Sequence, residues 1–448
     1  MARVLSLVAA AGAATLAAAA NPHAAMGGYQ PATNVIEHSQ IVYDIEAIQT
    51  ALSADDFTEA KNIYMNGKYS CKSTSNMRNL QGFVKQATYD AKLNGTAFVD
   101  AFVDGDGPSY GPIPGSGGRL MLSPTFWDDF LLGAFDGTGD FLGMSTAIRK
   151  VAINKGVLGV STLYAAYEME SAIGKKYDDN SADASGAPHA WDEGWAFLYG
   201  SHPADDGKYS AWEFSKKRDL DFAYNSSAQA VEGATVATDM LLKYFLHGLR
   251  ASRSGGVLAD MVAARNNIYR MLALSSIRAA LKYAEKAQNP YNEEYHMEAY
   301  VYFLVAANWV EQAYAGAGTN VLALLDFKKT EAQLSSNLYC AVKTELVPSY
   351  QPLGLDCAKV GVLKGHDDTL DDNCNAPACP ATQTLPTGLD SYVPDVTTTV
   401  GSDVYCPAVT PGGATTTGPS DAGMSGAGLL KAFAPLAWVV MLGATWRA

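Results

Sequence analysis

No stretch of this chain gathers its lysines and arginines into a basic cluster. With 32 basic against 46 acidic side chains and a formal charge of −14 over 448 residues, nothing is arranged to neutralise phosphates, so nucleic acid is excluded as a partner. Strand-like alternation is scarce, which argues against a β architecture. There is no HExxH zinc signature and no intact GxSxG elbow. The acidic run DDTLDDNCN, 367–375, lacks the Asp, Gly and terminal Glu spacing of an EF-hand loop and reads as a solvated loop. The glycines of VDGDGPSYGPIPGSGGRL, 103–120, follow no strand and open no helix, so they make no phosphate-binding loop.

Cysteine is sparse too. There are six, and Cys340, Cys357, Cys374, Cys379 and Cys406 all follow residue 339, with Cys71 alone before it. Their even number predicts disulfides if the chain is secreted, in any of about 15 pairings. Arg3 precedes an apolar stretch ending in small residues, the layout of a cleavable secretory leader over residues 1–20. Asn94-Gly-Thr96 and Asn225-Ser-Ser227 are glycosylation acceptors, consistent with that route. At the other end, Ala432–Trp446 is 15 residues long, short of the ~20 that span a bilayer. Small residues and a spacer precede it, so 421–448 reads as a lipid-anchor attachment signal, with the anchor on Ser420, Asp421, Ala422 or Gly423. A short membrane anchor is the other reading.

What is present is helix. From about Asn34 to Val347, apolar residues recur at three- and four-residue spacing, as in GVSTLYAAYEMESAI and MVAARNNIYRMLALSSIRAALKYAEKAQ. The predicted fold is all-α, a multi-helix bundle of two related halves, 26–210 and 211–347. Beyond it, Pro348–Pro419 carries 9 of the 19 prolines and reads as a Cys-containing stalk over 348–420, an irregular disulfide-linked tail.

The two halves are suggested by an offset of 105 residues that lays HAWDEGWAFLYG, 189–200, on EYHMEAYVYFLV, 294–305, and Glu193 on Glu298. On a helix Glu193 shares its face with Ala196, Phe197 and Gly200, and Glu298 with Val301, Tyr302 and Val305. Carboxylates aimed into packing need a cation, a proton or a metal ion. Helix-dipole stabilisation is the plainer account, but with Pro188 and Pro290 near the helix starts both lie too deep for it. Oxygen and imidazole donors are close by: His189, four residues before Glu193; Glu294 and His296, before Glu298; Tyr164, Tyr167, Glu168, Glu170, Tyr283 and Glu285 on the preceding helices; Glu37, His38, Tyr43 and Asp44 on the first. Carboxylate, imidazole and phenolate suit a hard trivalent ion better than zinc. Arg278 most simply forms a salt bridge; its sharper reading is an anion holder.

The motif E-G-W-A-F at 193–197, its second copy E-A-Y-V-Y at 298–302, the leader and the tail together resemble the algal low-iron-inducible periplasmic proteins, iron-assimilation proteins related to phytotransferrins. The resemblance covers about residues 34–320. It implies extracellular capture of ferric iron, with carbonate as a synergistic anion, for delivery by endocytosis. It implies Glu193 and Glu298 as the motif glutamates. Ala299 for Gly and Tyr300 for Trp in the second copy leave open whether one half or both bind metal. The partners expected are ferric iron, the membrane through the lipid anchor or short C-terminal segment, and a surface reductase, permease or endocytic machinery. The rivals are a carboxylate-dependent glycan hydrolase and a structural surface protein with buried salt bridges.

Overall fold

Long amphipathic periods with capped ends become long helices. In chain order they are α1 (Ile36–Ser39), α2 (Ile41–Ser53), α3 (Phe57–Asn66), α4 (Leu80–Phe83), α5 (Phe126–Asp136), α6 (Thr146–Tyr177), α7 (Ala187–Tyr199), α8 (Ala211–Asp221), α9 (Val236–Ser252), α10 (Leu258–Lys286), α11 (Glu293–Ala313), α12 (Ala317–Leu324) and α13 (Leu338–Tyr350). The computed structural model describes residues 26–73, 76–89, 92, 125–200, 209–223, 225–226, 229–230, 236–288, 290–355 and 357–363. The leader, the glycine-rich 103–120 loop, the 367–375 run and the anchor segment lie outside the described residues. Among those described, the only strands form short two-stranded ladders, and no helix is long and apolar enough to cross a membrane.

The centre of the packing is α6. Ser145 caps its N-terminus by accepting from the Ile148 amide, and Lys175 and Lys176 lie in its last turn, where the helix dipole favours positive charge. It forms a hairpin with α7, while α10 and α11 form a second one; α11 then packs back on α6. Close approach needs small residues. A Cβ on Gly159 would stand 2.7 Å from the Trp127 ring, and one on Gly194 would stand 3.2 Å from the Ala165 carbonyl oxygen. The second position holds α7 against α6 beside Glu193. One continuous hydrophobic core runs from Met26 to Leu363 through both hairpins. Trp191 and Trp195 are its largest buried side chains, and each satisfies its indole N–H, on the Phe245 carbonyl (2.9 Å) and the Met26 carbonyl (3.1 Å).

The chain past Pro348 departs from the predicted stalk. Pro348 sits inside α13, and Leu353, Leu355, Val360 and Leu363 are buried. Val362–Leu363 pairs antiparallel with Phe222–Ala223. Averaging composition over 348–420 hid this, because the apolar residues that supply the burial occupy only its first turns. The remainder lies outside the described residues, and none of the described cysteines is a free thiol.

Arg278 is the fastening. It is 1% exposed, and its guanidinium donates to Asp219 Oδ1 (2.7 Å), the Val360 carbonyl (2.9 Å) and the Lys359 carbonyl (2.7 Å). Asp219 in turn accepts the Ala237 and Thr238 amides, each at 3.1 Å, at the start of α9. One buried pair thus joins α8, α9, α10 and the tail. Removing one partner strands a buried charge, so Arg278→Met is expected to lower unfolding free energy by about 3–5 kcal/mol. Urea denaturation measures it; a loss below about 1 kcal/mol would contradict this role.

Candidate metal centre

Glu193 projects from the second turn of α7 into a cavity of about 310 Å³ between α1, α4, α6 and the 72–92 segment. Its position is set first by its neighbour. Asp192, fully buried, accepts from the Tyr29 hydroxyl (2.6 Å), the Ala32 amide (2.7 Å), the Thr33 amide (3.0 Å) and the Thr33 hydroxyl (3.2 Å). Burial pushes this carboxyl up to about 7, against the pull of the donors. The clamp fixes residues 29–33 on α7, and the chain leaving it enters α1, which carries His38.

Three nitrogen and oxygen donors then meet. His38 Nε2 is 2.8 Å and His189 Nε2 3.1 Å from Glu193 Oε1. His189 Nδ1 contacts the Thr33 hydroxyl at 2.9 Å. That hydroxyl also lies 3.2 Å from Asp192 Oδ2, so it bridges the two side chains. On the other side of the ring, His189 pairs with Glu193 most strongly when it is protonated. Its pKa is accordingly raised: burial opposes the charge, but the hydrogen bond to Glu193 and its negative charge outweigh burial. His38 differs. Burial lowers its pKa, with Arg78 adding to the effect and Glu193 opposing it. Its Nε2 also meets the Arg78 guanidinium, and its Nδ1 is buried without a hydrogen-bond partner among the described residues.

On the far side stands Glu168 of α6, 1% exposed, with Lys92 Nζ at 2.6 Å. Glu168 also shares hydrogen bonds with Glu193 and the Tyr164 hydroxyl. Burial first, and the Glu193 charge second, push its carboxyl up to about 7 despite Lys92. Burial also pushes Glu193 up, but its charged neighbours hold it well below the ordinary carboxylate range. The two carboxyl groups therefore titrate as a pair, which takes up a proton as the pH falls through about 7. Two carboxylates, a phenol and an imidazole suit a hard cation, and Arg78 with Lys92 suits an anion beside it. As they stand, no three His, Cys, Asp or Glu side chains among the described residues are in ligating geometry. The cations now among them would have to turn aside first.

The remaining sequence candidates are distributed elsewhere. Tyr167 packs edge-on to Tyr164, 6.4 Å between centroids. Glu37 contributes its carbonyl to the Ser70 hydroxyl. Asp44 is fully buried and accepts the Lys68 (3.0 Å) and Tyr69 (2.8 Å) amides. Glu298 accepts from Tyr283 and lies 3.6 Å from Lys155, apart from any histidine. Glu294 is exposed. His296, buried and pushed down to about 4 by desolvation, contacts Tyr291 at 3.5 Å. Arg278 is committed to the fastening described above. Arg78 and Lys92 escaped the sequence reading because neither sits on a periodic helix; Asp192 escaped it beside the more conspicuous Glu193.

Residues 3–383 match the family model for low iron-inducible periplasmic proteins. The chain belongs to that family. The match reaches beyond the 34–320 span of the resemblance at both ends, back to residue 3 and past the packed 348–363 segment. No curated protein and no solved structure matches the chain.

Because Asn offers only one acceptor oxygen, Asp192→Asn leaves donors of the 29–33 clamp unpaired. The expected loss is about 1–3 kcal/mol of stability, read by chemical denaturation. An unchanged midpoint would refute the clamp.

Proposed function

We propose that this protein captures ferric iron outside the cytoplasm for iron assimilation, at a site made by Glu193, Glu168, Tyr164 and His38, with His189 beside them. The observation that carries this reading is the hydrogen-bonded Glu193–Glu168 pair, with Glu168 buried and Glu193 partly buried, flanked by His38 and Tyr164 in one cavity. Membership of a family described as low iron-inducible and periplasmic supports the iron role and an extracytoplasmic location. A carbonate-class anion, held by Arg78 and Lys92, completes the site. The leader and anchor signals read from the sequence would tether the protein at the cell surface, where a reductase, permease or endocytic route receives the iron.

The chemistry of loading follows from the protons. Ferric iron needs Glu168 ionised and the imidazole lone pairs free. Arg78 leaves His38 and, with Lys92, turns toward the incoming anion. Glu168 has a raised pKa, so binding at or below about pH 7 must expel its proton, and affinity falls as pH drops through that range. Acidification therefore favours release.

Two carboxylates of divergent pKa also describe an acid–base pair in a glycan hydrolase. That reading fails on distance: Glu168 and Glu193 are in hydrogen-bond contact, whereas the carboxyl groups of such enzymes stand roughly 5–9.5 Å apart to admit the substrate. The purely structural reading is met by Asp219–Arg278 and Glu170–Arg265, which leave Glu193 to the cavity.

Titrating purified protein with ferric iron, with and without bicarbonate, tests the proposal. Saturable binding is expected, strengthened by bicarbonate and weakened at least tenfold by Glu193→Ala. Wild-type binding by Glu193→Ala, or none by the native protein, would sink it. In a pH series, affinity should fall below about pH 7, and Glu168→Gln should release about one proton fewer on loading. Equal proton release by the two proteins would remove Glu168 from the site.

A further inference from the structure

A second cavity, of about 250 Å³, opens beside the other motif glutamate, between α6, α8, α10 and α11. We infer that it binds a small hydroxy acid, a carboxylate anion bearing at least one alcohol group. The inference goes beyond the iron reading and does not depend on it.

The walls differ in kind from those around Glu193. Among the described residues no histidine lines this cavity; Lys155, Lys217 and Arg218 do, against Glu213 as the lining carboxylate. Lys217 is paired with Glu213 at 2.8 Å. The other two cations are less satisfied. The nearest carboxylate oxygen to Lys155 Nζ belongs to Glu298, at 3.6 Å, beyond hydrogen-bond length. Arg218 is 4% exposed and pairs through one terminal nitrogen with Asp221 at 2.6 Å, while its Nε is buried with no hydrogen-bond partner among the described residues. Both call for acceptor oxygens from a ligand, since a buried N–H left unpaired costs about 1–3 kcal/mol.

An opposite demand comes from Asn154. Its Oδ1 is buried with no donor among the described residues, on the α6 turn that carries Lys155. A ligand must therefore present an O–H as well as carboxylate oxygens. Plain carboxylates lack the donor and sugars lack the charge, while hydrogenphosphate and bicarbonate have both but offer no carbon skeleton to the aromatic side chains that line the same space. The Tyr302 ring packs against Tyr283, 5.5 Å between centroids, and against Phe214, 4.7 Å. Lys155 lies 5.8 Å from the Tyr302 centroid and Arg218 5.6 Å from that of Tyr283. This aromatic wall holds the cations in place and gives a short carbon skeleton an apolar surface. The volume lies below the roughly 300 Å³ at which drug-sized pockets begin, so the ligand is of small-metabolite size.

Calorimetric titration of the intact, metal-free protein with citrate tests the site. Saturable one-to-one binding is expected, with affinity reduced roughly tenfold or more in Lys155→Gln and in Asn154→Ala, and unchanged in Lys328→Gln, an exposed lysine paired with Asp140 elsewhere. Tricarballylate, which is citrate without its hydroxyl, should bind about tenfold more weakly, and inorganic phosphate should not displace citrate. Lys155 is partly exposed, so its variant should keep the native unfolding midpoint and remain a fair test. Absence of saturable citrate binding, equal affinity for tricarballylate, displacement by phosphate, or indifference to Lys155→Gln overturns the proposal.

Discussion

The candidate centre depends on one buried carboxylate that does not face it. Asp192 gathers four hydrogen bonds from Tyr29, Ala32 and Thr33, residues about 160 positions earlier in the chain. Successive residues on a helix point about 100° apart, so the same backbone turn that sends Asp192 into this clamp sends Glu193 into the cavity. The clamp delivers two things to Glu193: Thr33, whose hydroxyl contacts His189, and α1, which carries His38. The site is thus assembled by closing a long loop, and the cost of closure is met by hydrogen bonds outside the cavity. The donors inside it need not be mutually satisfied, and His38 is not.

This explains which parts of the site were legible. The His189–Glu193 spacing of four residues is a local fact of helix geometry, and the sequence displays it. Glu168 and Tyr164 are four apart on α6 and could be named as donors on the preceding arm. Their choice over Tyr167 and Glu170 depends on how α6 is rotated against α7, which Gly194 and the indoles of Trp191 and Trp195 decide by packing. His38, Asp44 and Glu37 looked equivalent on the first helical stretch. The break at Gln40 between α1 and α2 separates them, leaving His38 at the cavity and Asp44 tying down the 68–69 backbone. Arg78 and Lys92 carry no periodic signal at all. The all-α fold was readable because apolar spacing dominates such long helices; the burial of 348–363 was not, because proline content masked four well-spaced apolar residues.

The two motif glutamates occupy comparable places, each in the second turn of a return helix after a long helix. Their surroundings have separated. Beside Glu193 a glycine lets α7 lie close on α6, and two imidazoles reach the carboxylate. Beside Glu298 an alanine stands at the corresponding position, phenols replace the indole, and lysine and arginine line the adjoining space. An oxygen and nitrogen donor set around a carboxylate suits a hard cation, while incompletely satisfied cations beside a buried amide oxygen suit an oxygen-rich anion. A shared helical scaffold can hold unlike chemistry, because packing fixes where the glutamate stands and the neighbouring helices decide what it meets.

Charge balance links the two halves of the argument about iron. Arg78, Lys92, Lys175 and His189 all act on Glu193 or Glu168, so the two carboxyl groups already have basic neighbours at rest. A bare trivalent ion would have to compete with them. An anion arriving with it changes the balance: it lowers the added charge, gives Arg78 and Lys92 a new partner, and lets both withdraw from His38 and Glu168 without being left buried and unpaired. The same residues that compete with a lone metal therefore favour a metal and an anion together. In the proposed function, synergy between metal and anion would follow from where these cations stand, which is why the proposal puts a carbonate-class anion next to Arg78 and Lys92 rather than beside the fully committed Arg278.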